Sequence, residues 1–135
     1  MKRMIMKLRF LYQLPALVWM ILTFVLSSIP DIPTPDLGIQ FEDKLYHFFY
    51  YALYGLLLAL ALFKQDKFPR IKLNYLLFTV FFGSLYGLTD EIHQGFVPGR
   101  EMDFLDFVAD VLGVLAGAIF FKFLINYFKR NKSSN

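Results

Sequence analysis

Between Phe10 and Pro30 the chain runs for 21 residues without a charged side chain. A bilayer core is crossed by ~20 helical residues, so a run of this kind points to a membrane-spanning helix before anything else is known. A second run, Leu45 to Phe63, is ionisable only at His47 apart from its tyrosines. A third, Asn74 to Thr89, is slightly short and needs Leu73 and the region of Asp90 to complete its ends at the interfaces. In the fourth, only Val111 to Phe121 is free of charge. A full span there begins near Asp106 or Asp110 and carries Lys122 outward along its own stem. With 57% hydrophobic residues in 135, the composition also exceeds the apolar share of an ordinary soluble domain. The expectation is a single all-α domain over 1–135, an integral membrane four-helix bundle with helices at about 10–30, 45–63, 73–91 and 104–128.

The first run is longer than the apolar part of a signal peptide, about 7 to 15 residues, and ends in Ser27, Ser28, Ile29, Pro30 without a small-x-small cleavage pattern. It is expected to stay as an anchor. The absence of cysteine removes disulfides, thiol nucleophiles and thiolate metal sites from consideration. Lysine and arginine concentrate on cytoplasmic flanks. Lys2, Arg3, Lys7 and Arg9 precede the first run, Lys64, Lys67, Arg70 and Lys72 join the second to the third, and Lys122, Lys129, Arg130 and Lys132 follow the fourth. Both termini and the middle connection are therefore expected in the cytoplasm of a multi-pass cell-membrane protein. The connections around Asp31 to Lys44 and Asp90 to Asp110 then face outward, with every acidic residue but Asp66 on that side. A net charge of +3 that merely brackets apolar spans suits anionic headgroups, and nucleic acid is not an expected partner.

Asp90 to Asp110 holds six carboxylates, His93 and Arg100. Ionisable groups at the border of hydrocarbon are costly, so such a concentration points to binding or chemistry. Helical phase organises it. Asp90, Glu91 and Gln94 follow Gly87 of the GSLYG motif by three, four and seven residues, while Asp106 and Asp110 precede Gly113 of GVLAG by seven and three. The two GxxxG seams, Gly83 with Gly87 and Gly113 with Gly117, allow close helix approach. If they pack on each other their acids meet at the outer end; association between copies is the other use of such seams. The second run adds Asp43, His47, Tyr51 and Tyr54 on one face, beside Tyr50. Asp43, one turn upstream, is placed to orient the His47 imidazole. The acids need neutralising, and three means are available: Arg100 and Lys44, with the arginine fork able to bridge two carboxylates, protonation, or a divalent cation. A hard ion such as Mg²⁺ or Ca²⁺ suits a set whose nitrogen donors are His47 and His93 alone.

The stretch DKLYHFFYYALYGLLLAL, followed by YGLTDEIHQGFVPGREMDFLDFVADVLGVLAG, resembles the VanZ-like family. The resemblance rests on Asp-Lys-x-x-His at the start of the second helix, Asp-Glu-x-x-Gln at the end of the third, the Val-Pro-Gly-Arg turn, and the spaced aspartates entering the fourth. The family pattern often has asparagine near Asp110. The resemblance implies a small bacterial membrane protein of the cell envelope, linked to tolerance of teicoplanin and related glycopeptide antibiotics, and supplies no established reaction.

Two functional readings follow, with a lipid, a lipid-linked cell-wall precursor or the glycopeptide as partner. In one, an outward-facing polar cleft binds the ligand without turnover, through Asp43, Lys44, Tyr51, Gln94, Arg100, Asp103, Asp106 and Asp110. In the other, a membrane-embedded hydrolase or transferase acts on a lipid-linked phosphate held by Arg100 and Lys44, with His47, Asp90 and Glu91 as acid and base. A purely architectural clamp of the helix ends is a third use of the same residues. A proton- or ion-coupled path ranks last, because the charge lies near one face only.

Overall fold

The computed structural model describes residues 10–30 and 41–133. The expected cytoplasmic cations Lys2, Arg3, Lys7 and Arg9, residues 31–40 of the connection expected to face outward around Asp31 to Lys44, and residues 134–135 lie outside that range. Among the described residues the fold is all-helical, without a strand. In chain order the helices are α1 (Leu14–Ser27), α2 (Glu42–Lys64), α3 (Pro69–Leu73), α4 (Tyr75–Gln94) and α5 (Phe104–Ser133).

Local chemistry sets the boundaries. Proline in the first turn of α1 loses no helical hydrogen bond, since the first N–H groups have no partner there anyway. Helix α2 starts earlier than the apolar pattern alone suggests. Phe41 takes a left-handed conformation at φ 68° at the N-cap, and Glu42 and Asp43 then occupy the first turn, where carboxylates suit the positive end of the helix dipole. The connection after α2 is tied by Gln65, whose Nε2 donates to the Phe68 carbonyl at 2.9 Å while its Oε1 accepts from the Phe68 N–H at 2.8 Å. Pro69 then opens the short α3, and Asn74 separates it from α4.

The distribution of side chains is the reverse of a soluble core. The buried apolar residues are mostly small or compact, including Ala16, Ala59, Ala61, Ala109, Val114 and Ala118, whereas Phe49, Leu77, Phe104, Phe123 and Phe128 are each more than 60% exposed. A polar solvent penalises so much exposed aromatic and aliphatic surface, and lipid does not. Helices α2 and α5 are long and apolar enough to cross a bilayer; α1 is apolar but short, at 14 residues. In α4 the last turn carries Asp90, Glu91 and His93, which limits its apolar length.

Glycine determines the central contact, though with different partners from those expected. The seams of α4 and α5 do not pack glycine on glycine. A Cβ at Gly113 would run into the Phe48 carbonyl and lie 2.9 Å from the Ala52 nitrogen, and one at Gly117 would strike the Ala52 carbonyl and lie 2.7 Å from the Leu56 nitrogen, so both belong to the α2–α5 contact. Gly55 answers from α2, facing the Val114 backbone. The α4 glycines instead receive α5 side chains: Val114 Cγ1 lies 2.6 Å from a Cβ built at Gly83, and Asp110 lies against Gly87. Helix α1 docks through directed bonds, with Trp19 Nε1 donating to the Tyr50 carbonyl at 3.1 Å and Tyr86 Oη donating to the Met20 carbonyl at 2.6 Å. The end of α1, the start of α2, the end of α4 and the start of α5 thereby meet at one end of the bundle.

Candidate functional site

At that end Asp90, Glu91, Gln94, Asp110 and Tyr51 are each at most 4% exposed. Buried polar groups of this kind need partners. Asp90 accepts from three donors: Ser27 Oγ at 2.6 Å, Tyr51 Oη at 3.1 Å and Gln94 Nε2 at 3.3 Å. Tyr51, Tyr54 and Tyr86 form an aromatic layer below it, with ring centroids 5.3 to 6.2 Å apart.

Glu91 Oε2 accepts the Asp103 backbone N–H at 3.1 Å, which pins the loop before α5 to the end of α4. Its Oε1 lies 3.3 Å from Gln94 Nε2 and 3.7 Å from His47 Nδ1. His47 Nδ1 is closer to Asp110 Oδ1, at 2.9 Å. The carboxylate that orients His47 is therefore Asp110 from α5, not Asp43. The Asp43 side chain is 59% exposed and turns to Lys44 at 2.7 Å. Asp43 shares the face of His47, but the Lys44 ammonium takes its carboxylate, and α5 presents Asp110 at the level of His47.

A second layer surrounds Lys44, whose ammonium pairs with Asp43, Asp103 and Asp106, the last at 3.0 Å as an ion pair. Asp103 stands in the loop ahead of α5. The Lys44 ammonium and a hydrogen bond from the Leu105 N–H at 2.8 Å hold its carboxyl below the ordinary 3.8. Because that folded value is lowered, the contribution of this pairing to folding is complete above the ordinary value and is lost as pH falls through the lower one.

Arg100 does not bridge the acids. Its Nε and Nη2 donate to the Ile29 and Leu26 carbonyls at 3.2 and 3.3 Å, and Nη1 reaches Gln94 Oε1 at 3.4 Å. The guanidinium caps the carbonyl end of α1, where helical acceptors lack internal donors. His93 is also directed away from the acids, with Nε2 2.9 Å from Ser28 Oγ and its ring stacked on Phe24. Ser27 is a member of the site that sequence reasoning missed. Its only signal was a hydroxyl at the end of an apolar run, which reads as an ordinary helix terminus.

A family model, VanZ/LLP1, matches residues 9–126. The chain belongs to the VanZ/LLP1 family. No curated protein matches the chain, and no solved structure does. The match contains every candidate residue described above, and together with the apolar helices it makes this VanZ/LLP1 chain a membrane protein. Within it the expected residues fall into two adjoining layers and one outlier. Asp90, Glu91, Gln94, Tyr51, His47 and Asp110 form the inner layer, Lys44, Asp43, Asp103 and Asp106 the outer one, and Arg100 meets the cluster through Gln94. Chemically, the inner layer offers a histidine–carboxylate pair beside a second carboxylate, and the outer layer is an acidic set centred on one ammonium.

Proposed function

We propose that the chain crosses the membrane four times with both termini in the cytoplasm, and that its polar cluster opens outward as a cleft for a cell-wall or lipid-linked ligand. Occupation of that cleft underlies teicoplanin tolerance. The observation that supports this most is the convergence of α1, α2, α4 and α5 on buried acids, through Ser27, His47, Tyr51, Asp90, Glu91 and Asp110. Burying three carboxylates in a small membrane protein is expensive, and an architectural clamp would need far fewer. Asp43, Asp103 and Lys44 form the outer rim of the cleft, where donor-rich groups of a sugar or peptide meet carboxylate acceptors.

Hydrolysis or transfer on a lipid-linked phosphate is the second reading, favoured by the His47–Asp110 pair next to Glu91. Its phosphate clamp is less well supported. Lys44 is engaged by three carboxylates and Arg100 by two carbonyls and an amide, so neither cation is held ready for an anion.

Asp90→Asn, Glu91→Gln and His47→Ala should each lower teicoplanin tolerance in a susceptible host while membrane abundance is retained. Full tolerance in all three would reject the site. Incubating the purified protein with lipid-linked precursors separates the two readings: a stoichiometric complex without product supports binding, and turnover supports catalysis.

A further inference from the structure

Three buried carboxylates, Asp90, Glu91 and Asp110, share the inner layer, and the lysine and arginine nearest to them are spent elsewhere. Lys44 faces Asp43, Asp103 and Asp106, and Arg100 faces carbonyl oxygens. Asp90 has three donors, and Glu91 has the Asp103 N–H at 3.1 Å on Oε2 and Gln94 Nε2 at 3.3 Å on Oε1, which leaves Asp110 as the acid short of a donor. Asp110 is 0% exposed, and its Oδ2 has no hydrogen-bond partner among the described residues. A buried carboxylate oxygen left without a donor is costly. The same carboxylate meets the His47 imidazole nitrogen through Oδ1 at 2.9 Å, with Glu91 on its other side; the three offer the donor set of a metal site, and a cation held by both Asp110 oxygens supplies Oδ2 with its missing partner.

We propose that His47, Glu91 and Asp110 bind a divalent cation. One donor atom from each of the three lies within 4.8 Å of the others. Two of the edges are 2.9 Å, His47 Nδ1 to Asp110 Oδ1, and 3.7 Å, His47 Nδ1 to Glu91 Oε1. Ligands on ~2.1 Å bonds sit ~3.0 Å apart in an octahedron and ~3.4 Å apart in a tetrahedron, so small side-chain adjustments admit the ion. The cation takes the place of the proton between His47 and Asp110. Existing contacts fix the ligands around it: the Asp103 N–H holds Glu91 Oε2, and Gly87 gives Asp110 room, since a Cβ there would lie 3.2 Å from Oδ2. One imidazole with carboxylate oxygens favours Mn²⁺ or Zn²⁺ over Ca²⁺, which prefers oxygen alone. The neighbouring acidic triad, Asp43, Asp103 and Asp106, meets the same distance criterion but already surrounds the Lys44 ammonium. That contrast singles out the inner set. The assignment is independent of whatever ligand the cleft takes.

Full-length protein in nanodiscs, stripped with chelator, is titrated with Mn²⁺ and Zn²⁺ and its metal content is measured after gel filtration. The expected result is one ion per chain, with His47→Ala and Asp110→Asn each weakening affinity at least tenfold. Asp66→Asn, at the opposite end of the bundle, should leave it unchanged. Absence of a stoichiometric ion in the wild type, or wild-type affinity in both inner-layer variants, overturns the proposal. Should those variants fail to fold, electron spin echo spectra of Mn²⁺ in the wild-type protein decide: coupling to an imidazole nitrogen is expected, and its absence overturns the site.

Discussion

His47 and Asp110 are 63 residues apart in sequence and 2.9 Å apart in space, with Asp110 fully buried. Removing one partner leaves the other desolvated and unpaired, so the single changes should cost more than the pair together. In a double-mutant cycle of His47→Ala and Asp110→Asn, followed by reversible unfolding in mixed micelles, the coupling should be about 0.5 to 3 kcal/mol. Simple additivity would mean that the two residues do not act as a pair. The chain alone named both residues as site members, because each stands out against apolar neighbours. It named the wrong carboxylate for the histidine, since phase within one helix ranks Asp43 by proximity and carries no information about what a second helix presents. Arg100 illustrates the same limit: with six acids nearby in the chain, its partners are nevertheless the Leu26 and Ile29 carbonyls and the Gln94 amide oxygen.

At the scale of elements, the most extensive contact among the described helices is between α2 and α5, and it depends on glycines whose missing side chains leave room for backbone. Gly117→Ala would place a methyl on the Ala52 carbonyl. Backbone on both sides cannot yield as a side chain can, so the helices must separate, at a cost of about 1 to 3 kcal/mol from overpacking. Gly95→Ala is the comparison. There the nearest atoms are 3.4 and 3.5 Å away and the backbone is helical at φ −60°, so stability should change little. Equal loss in both variants, read by thermal unfolding in the same detergent, would contradict this account. Both GxxxG motifs were legible as packing seams, yet their partners were not, because a spacing of four marks a face without saying which helix covers it.

For the whole molecule, exposed aromatic and aliphatic side chains surround a core of small residues, and the acids gather at one end while Asp66 pairs with Lys72 at the other, at 2.5 Å. The 30 residues of α5 extend about 45 Å at 1.5 Å per residue, more than a hydrocarbon core of ~30 Å. Its last turns carry Lys129, Arg130 and Lys132, which suit the headgroup region better than the apolar layer. The chain has no cysteine, so single cysteines report topology directly. Met102→Cys should react with an impermeant maleimide in intact cells, and Lys67→Cys only after permeabilisation. Labelling of both from the same side would exclude the proposed four crossings.

Apolar run length, the clustering of lysine and arginine, and the phase of acids along each helix are properties of neighbouring residues. From these the sequence alone determined an all-helical membrane protein and most members of the polar cluster. Tertiary structure decided the partners: Asp110 for His47, Ser27 and Tyr51 for Asp90, the end of α1 for Arg100, and α2 for the glycines of α5. Those choices depend on how each helix is rotated about its own axis, and that rotation is set by close packing between segments far apart in the chain.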